Sequence, residues 1–190
     1  MKRSVLIVLA LMLVASMANA ESIMVFSDAA GSDCNWADAA PALQPVYIFH
    51  MYSVVGATVS QWKLNAPATW SHLGDNSPFA LVIGTSIEDC SISYGACMTG
   101  NFLLMTVNFF GSGLEAPCTV FGIGAAPGKA GVQIIDCADG RTFPPGGSGI
   151  VNPTVDCDCD VPVEDTTWGG IKALRSEERR VGKECRSRWS

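Results

Sequence analysis

Phe102–Phe110 reads FLLMTVNFF, and the fold follows from these nine residues. Leu103, Met105, Val107 and Phe109 stand two apart and can all face one core, the period of a half-buried strand. Burying such side chains stabilises a fold by about 1.5–3 kcal/mol each. Working outward, the same signature recurs in short pieces separated by Gly, Pro, Asn and Asp. Upstream, the expected strands are Ile23–Ser27, Val46–Val55, Ala57–Leu64, Phe79–Ile83 and Ser91–Ala96. The alternation of Ala57–Leu64 slips near Ser60-Gln61, which predicts a bulge. Downstream come Thr119–Ile123, Val132–Cys137, Arg141–Phe143 and Gly149–Asn152, with Ala138-Asp139-Gly140 as a turn. About nine short strands without a helical period predict an all-β chain, an antiparallel β-sandwich of jelly-roll or immunoglobulin-like type. A closed barrel is the alternative; a propeller or solenoid would need a fixed repeat, and none is present.

Both ends read as separate from this body. Met1-Lys2-Arg3, the apolar run Val5–Ala15 and the small-x-small triplet Ala18-Asn19-Ala20 predict a signal peptide over residues 1–20. The β-sandwich domain is expected over residues 21–153, and no later segment is long and apolar enough to cross a bilayer. Residues 154–174 read as an acidic linker, DCDCDVPVED, followed by a short C-terminal segment. There Thr166–Leu174 has the pattern of a short amphipathic helix, weakened by Gly169 and Gly170. The tail Arg175–Ser190, RSEERRVGKECRSRWS, resembles the in-frame translation of a sequencing adapter, whose opening bases AGATCGGAAGAG encode Arg175-Ser176-Glu177-Glu178. On that reading the tail is an artefact and disordered, and the native chain stops near Leu174.

Between Glu21 and Leu174 the charge is one-sided. Lys63, Lys129, Arg141 and Lys172 face fifteen Asp and Glu, a net charge of −11. Such a surface repels nucleic acid and anionic membranes. Seven cysteines lie in this stretch: Cys34, Cys90, Cys97, Cys118, Cys137, Cys157 and Cys159. An exported chain meets an oxidising compartment, secreted, periplasmic or extracellular, so disulfides are expected. Seven is odd, which predicts three bridges and one remaining thiol. Cys157 and Cys159 are too close to bridge each other, so each reaches elsewhere. The expected pairs are Cys97 with Cys118, flanking one strand, and Cys137 with Cys157 or Cys159.

No catalytic constellation is legible. Gly84-Thr85-Ser86 and Gly147-Ser148-Gly149 do not match the GxSxG nucleophile elbow. Glu88-Asp89 and Glu164-Asp165 are adjacent carboxylates that point to opposite faces of a strand. His50 alternates with Ile48 and Tyr52, the setting of a packed histidine, while His72 is placed in a Trp70–Asn76 loop near Asp75. Trp70, His72 and Asn76 are the ligand-binding candidates, Trp70 as a sugar-stacking platform; a core tryptophan is the plainer reading. Asp156, Asp158 and Asp160 offer hard oxygen ligands at alternate positions, so calcium is the one ion considered, and otherwise no cofactor is expected. An EF-hand is excluded, because Val161 stands where its glycine belongs and Thr167 where its glutamate does.

VYIFHMYSVVGAT at Val46–Thr58, VNFFGSG at Val107–Gly113, VQIIDC at Val132–Cys137 and VPVEDTTWGGIKAL at Val161–Leu174 together resemble uncharacterised secreted β-sandwich proteins of environmental bacteria. The strand–GAT–strand order also resembles, loosely, cohesin-type scaffolding modules; this is a likeness of fold and carries no site. The expectation is a secreted, non-catalytic structural, adhesion or ligand-binding module. Its partner is unspecified, an extracellular protein or a glycan. The alternatives are a carbohydrate-binding or calcium-stabilised extracellular module and, from another class, a small secreted hydrolase.

Overall fold

The computed structural model describes residues 21–138 and 140–159, without the side chains of Tyr52 and Val54. The signal segment, the Thr166–Leu174 helix, Asp160 and the Arg175–Ser190 tail lie outside the described residues. The fold is an antiparallel β-sandwich. Its strands are β1 (Ser22–Phe26), β2 (Asn35–Trp36), β3 (Ala42–Asn65), β4 (Ser71–Asn76), β5 (Leu81–Ile83), β6 (Cys90–Gly111), β7 (Thr119–Gly124), β8 (Gln133–Asp136), β9 (Arg141–Thr142) and β10 (Ser148–Val151). Among the described residues there is no helix, and so none able to cross a membrane.

β3 and β6 form the spine. They pair antiparallel from Ala42↔Gly111 to Trp62↔Cys90. The outer edge of β6 takes β5 at Ser91–Ser93 and β4 at Thr106–Phe110. The other edge of β3 takes β1 at 47–51 and β8 at 57–61. At Lys63–Asn65 β3 leaves this layer and pairs with β7, which continues through β10 to β2 as the second layer. β2 and β10 pair in parallel, an exception to the antiparallel pattern. The core fills the space between the layers: Ile23, Val25, Val46, Ile48, Trp62, Leu104 and Val107 are all fully buried. An aromatic ladder crosses it, from Trp36 to Phe121 (ring centroids 4.7 Å), Phe121 to Trp70 (5.6 Å) and Trp70 to Phe109 (5.8 Å).

The nonapeptide is a central strand, but its alternation breaks once. Ile48 pairs with Met105 and Phe49 with Leu103, so Leu104 is an extra residue in β6. This bulge turns Leu104 and Met105 both into the core and leaves Leu103 only half-buried, which corrects the expected face at its first position. Met105, Val107 and Phe109 are buried as expected. The breaks expected at Gly56 and between Ala96 and Phe102 are also bends within single long strands, the second at Gly100. Both glycines have positive φ (87° and 77°), a conformation that lets a strand kink and continue.

Three disulfides fix the sandwich: Cys34–Cys159, Cys97–Cys137 and Cys118–Cys157, with Cα separations of 5.6–5.7 Å. The expected Cys97–Cys118 pair is replaced, as is Cys137 with Cys157 or Cys159. Cys97 lies at the bend of β6, and Gly56 of β3 bonds the Cys137 amide through its carbonyl (3.0 Å), which brings Cys137 onto that bend. A Cβ on Gly56 would sit 2.6 and 2.7 Å from the two sulfurs, so only glycine fits there. Cys118 instead meets the segment after β10, where its amide bonds Asn152 O (3.1 Å). Cys157 and Cys159 do reach different elements. In the chain-entropy model the Cys34–Cys159 link, spanning 125 residues, is worth about 5 kcal/mol and each of the others about 4 kcal/mol. Cys90 is the remaining thiol among the described residues; burial, with Asp75 and Asp89 nearby, pushes it up to about 12.

Candidate functional site

The end of β3, the start of β4 and the loop before β6 enclose a cleft of about 380 Å³. Its walls include Lys63, Asn65, Trp70, His72, Ile87 and Phe109. β4 holds His72 in place. SHLGDN has little strand propensity of its own, so the loop expected there is instead a strand imposed by the free edge of β6. A bulge at Leu73 separates His72↔Phe109 from Gly74↔Asn108. His72 therefore turns inward, its ring 5.6 Å from that of Phe109, while Leu73 turns out and is 57% exposed.

His72 Nε2 lies 2.8 Å from Asp75 Oδ1. A carboxylate only accepts, so Nε2 carries a proton, and in the neutral tautomer that this selects, Nδ1 is an acceptor. Asp75 also accepts from the Ser86 amide (2.8 Å) and hydroxyl (2.7 Å), and the Ser86 carbonyl accepts from Leu64 N (2.7 Å). This chain ties β4 to β3 through the loop that carries Ile87. The carboxylate stands between the serine and the histidine. A hydrolytic triad needs the histidine in that position, and Ser86 is fully buried besides. The network orients His72; it activates no nucleophile.

Of the sequence candidates, Trp70 and His72 meet at this cleft and Asn76 does not, lying exposed at the far end of β4. Trp70 is only 6% exposed and packed between Phe109 and Phe121, so it has no free face for stacking a sugar. Asp156 is exposed, and Asp158 accepts from Asn35 Nδ2 (2.8 Å). No group of three or more His, Cys, Asp or Glu among the described residues is placed to hold a metal.

Sequence reading missed two features. One is Lys63, which pairs with Gly124 of β7 on the cleft wall; nothing in WKLNA marks it. The other is a second histidine–carboxylate pair in the core. His50 Nε2 lies 2.9 Å from Glu21 Oε1, and its Nδ1 lies 3.1 Å from the Tyr94 hydroxyl. Nε2 donates to the carboxylate, so Nδ1 accepts from Tyr94. Ser53 and Thr142 hydroxyls also donate to Glu21. Burial holds His50 below the usual histidine range, opposed by Glu21, and drives the Tyr94 phenol upward. The rings of Phe79, Tyr94 and Phe102 close over this pair.

No protein-family model matches the sequence, and no curated protein matches it. Solved structures do. A type III cohesin module from a cell-surface anchoring scaffoldin of Ruminococcus flavefaciens aligns with TM-score 0.50 at 8% identity, over 73% of this chain and 91% of that one. A non-cellulosomal cohesin from the archaeon Archaeoglobus fulgidus aligns with TM-score 0.48 at 11% identity, over 69% of this chain and 90% of that one. At these identities the likeness is one of fold: the chain has a β-sandwich similar to that of cohesin modules.

Proposed function

We propose that the chain is an extracellular, non-catalytic binding module that meets a protein partner through the outer face of β3, β6 and β4. One observation carries this reading. Leu43 and Phe110 stand directly opposite each other across β3 and β6, 67% and 44% exposed, and Leu73 extends the row onto β4. The residues around them, Pro45, Asn108 and Ser71, carry no charge, although the described residues are strongly acidic. Cross-strand apolar pairs left in water on a disulfide-fixed scaffold are typical of interaction surfaces. Three disulfides favour an oxidising compartment. The serine–carboxylate–histidine order in the cleft supports a binding role over a catalytic one.

The test is to screen the immobilised domain against extracellular proteins and compare wild type with the double variant Leu43→Lys/Phe110→Lys. The expected result is a loss of about 30-fold or more in affinity with an unchanged unfolding midpoint, since both side chains are exposed. Retained binding by the double variant overturns this choice of face. Turnover of ester or glycoside substrates that disappears in His72→Ala overturns the non-catalytic reading.

A further inference from the structure

The cleft lies on the other side of β4 and β6 from the apolar row, and it has its own chemistry. Among the described residues eleven Asp and Glu face three Lys and Arg, yet Lys63 forms no ion pair among them. A half-buried lysine with no carboxylate partner, where carboxylates outnumber cations, leaves its charge available. Beside it, Asn65 is held over β7 where Gly124 leaves room: a Cβ there would lie 2.6 Å from the Asn65 amide nitrogen. Across the cleft, His72 offers Nδ1, fixed in its tautomer by Asp75. The remaining walls are apolar, from Ile87, Trp70 and Phe109. The volume is at the small end of the roughly 300–1,000 Å³ usual for small-molecule sites.

We propose that this cleft binds one uronate unit of an acidic saccharide. Ile87, the half-buried residue of the apolar wall, packs against the C–H face of the sugar ring while Trp70 and Phe109 close the floor, Asn65 and His72 Nδ1 bond its hydroxyls, and Lys63 pairs with its carboxylate. Asp75 is occupied by His72 and Ser86, so it does not compete for the ammonium. The proposal does not depend on the protein-binding face.

The experiment measures binding of tri-galacturonate and of its methyl ester, the same sugar without the charges, by calorimetry and by tryptophan fluorescence. The expected result is that the acid binds at least about 10-fold more tightly than the ester. Lys63→Met removes that preference, Lys63→Arg keeps it, and Lys129→Met leaves it unchanged. Near-ultraviolet dichroism confirms that Lys63→Met is folded. Leu43→Lys/Phe110→Lys binds the acid like wild type, which separates this proposal from the previous one. Equal affinity for acid and ester overturns it, as do an unaltered preference in Lys63→Met and an absence of acid binding in a folded wild type.

Discussion

The chain contains two histidines, and each lies within 2.9 Å of a carboxylate. His50 is fully buried between β1, β3 and β6, with both ring nitrogens paired and aromatic rings around it. His72 is 20% exposed, with Nε2 paired and the residue on the cleft wall. The same pair of groups thus serves two ends. Where water is excluded it joins strands; where water reaches it, it fixes the orientation of a ring on a cleft wall. Burial and the count of partners, more than residue type, separate the two.

The comparison breaks most visibly in stability. His50→Ala leaves the Tyr94 hydroxyl without its acceptor, takes the ring donor from Glu21 and opens a cavity, an expected loss of about 3–4 kcal/mol. His72→Ala should cost about 1 kcal/mol or less, since the pair is partly solvated. Urea unfolding midpoints measure both, and equal losses would erase the distinction. A smaller effect is expected from pH. Burial depresses His50 in the folded state, so between its folded pKa and the ordinary value near 6.5 the unfolded chain binds more protons. Stability is therefore full above about pH 6.5 and declines as pH falls through the folded pKa, by about 1.4 kcal/mol per unit of depression. His50→Gln should flatten that part of the profile; a decline that persists in it assigns the effect to other groups. The mildest perturbation is chemical. Diethyl pyrocarbonate should modify His72 and spare His50, with no loss of fold, as read by peptide mass mapping. Modification of both at equal rates would show that the core pair opens.

How much of this was legible depends on whether the signal was local. The period of FLLMTVNFF predicted a central strand, and the turn residues around it predicted a sandwich. The bulge at Leu104 was hidden because Leu103 and Leu104 are chemically identical, and only the pairing with Ile48 and Phe49 decides which is extra. Gly56 and the stretch from Ala96 to Phe102, which contains Gly100, were read as breaks because glycine permits both a break and a kink. Ser71–Asn76 was read as a loop because its strand character comes from β6, not from itself. Cysteine partners are set by which distant segments meet, and spacing along the chain carries no record of that. His72 and Asp75 could be placed together because they are three residues apart. Ser86, Lys63 and Glu21 could not, since each reaches its site from another element.

The Cys34–Cys159 bond also has a mechanical consequence. A load applied at the two ends of the described chain enters through β1, crosses the bond and leaves at residue 159. Everything between the two cysteines is bypassed. Stretching the oxidised chain can release only the stretch ahead of Cys34, roughly 45 Å when fully extended, against roughly 480 Å once the bonds are reduced. A module built this way transmits tension while the sandwich between the two cysteines stays folded.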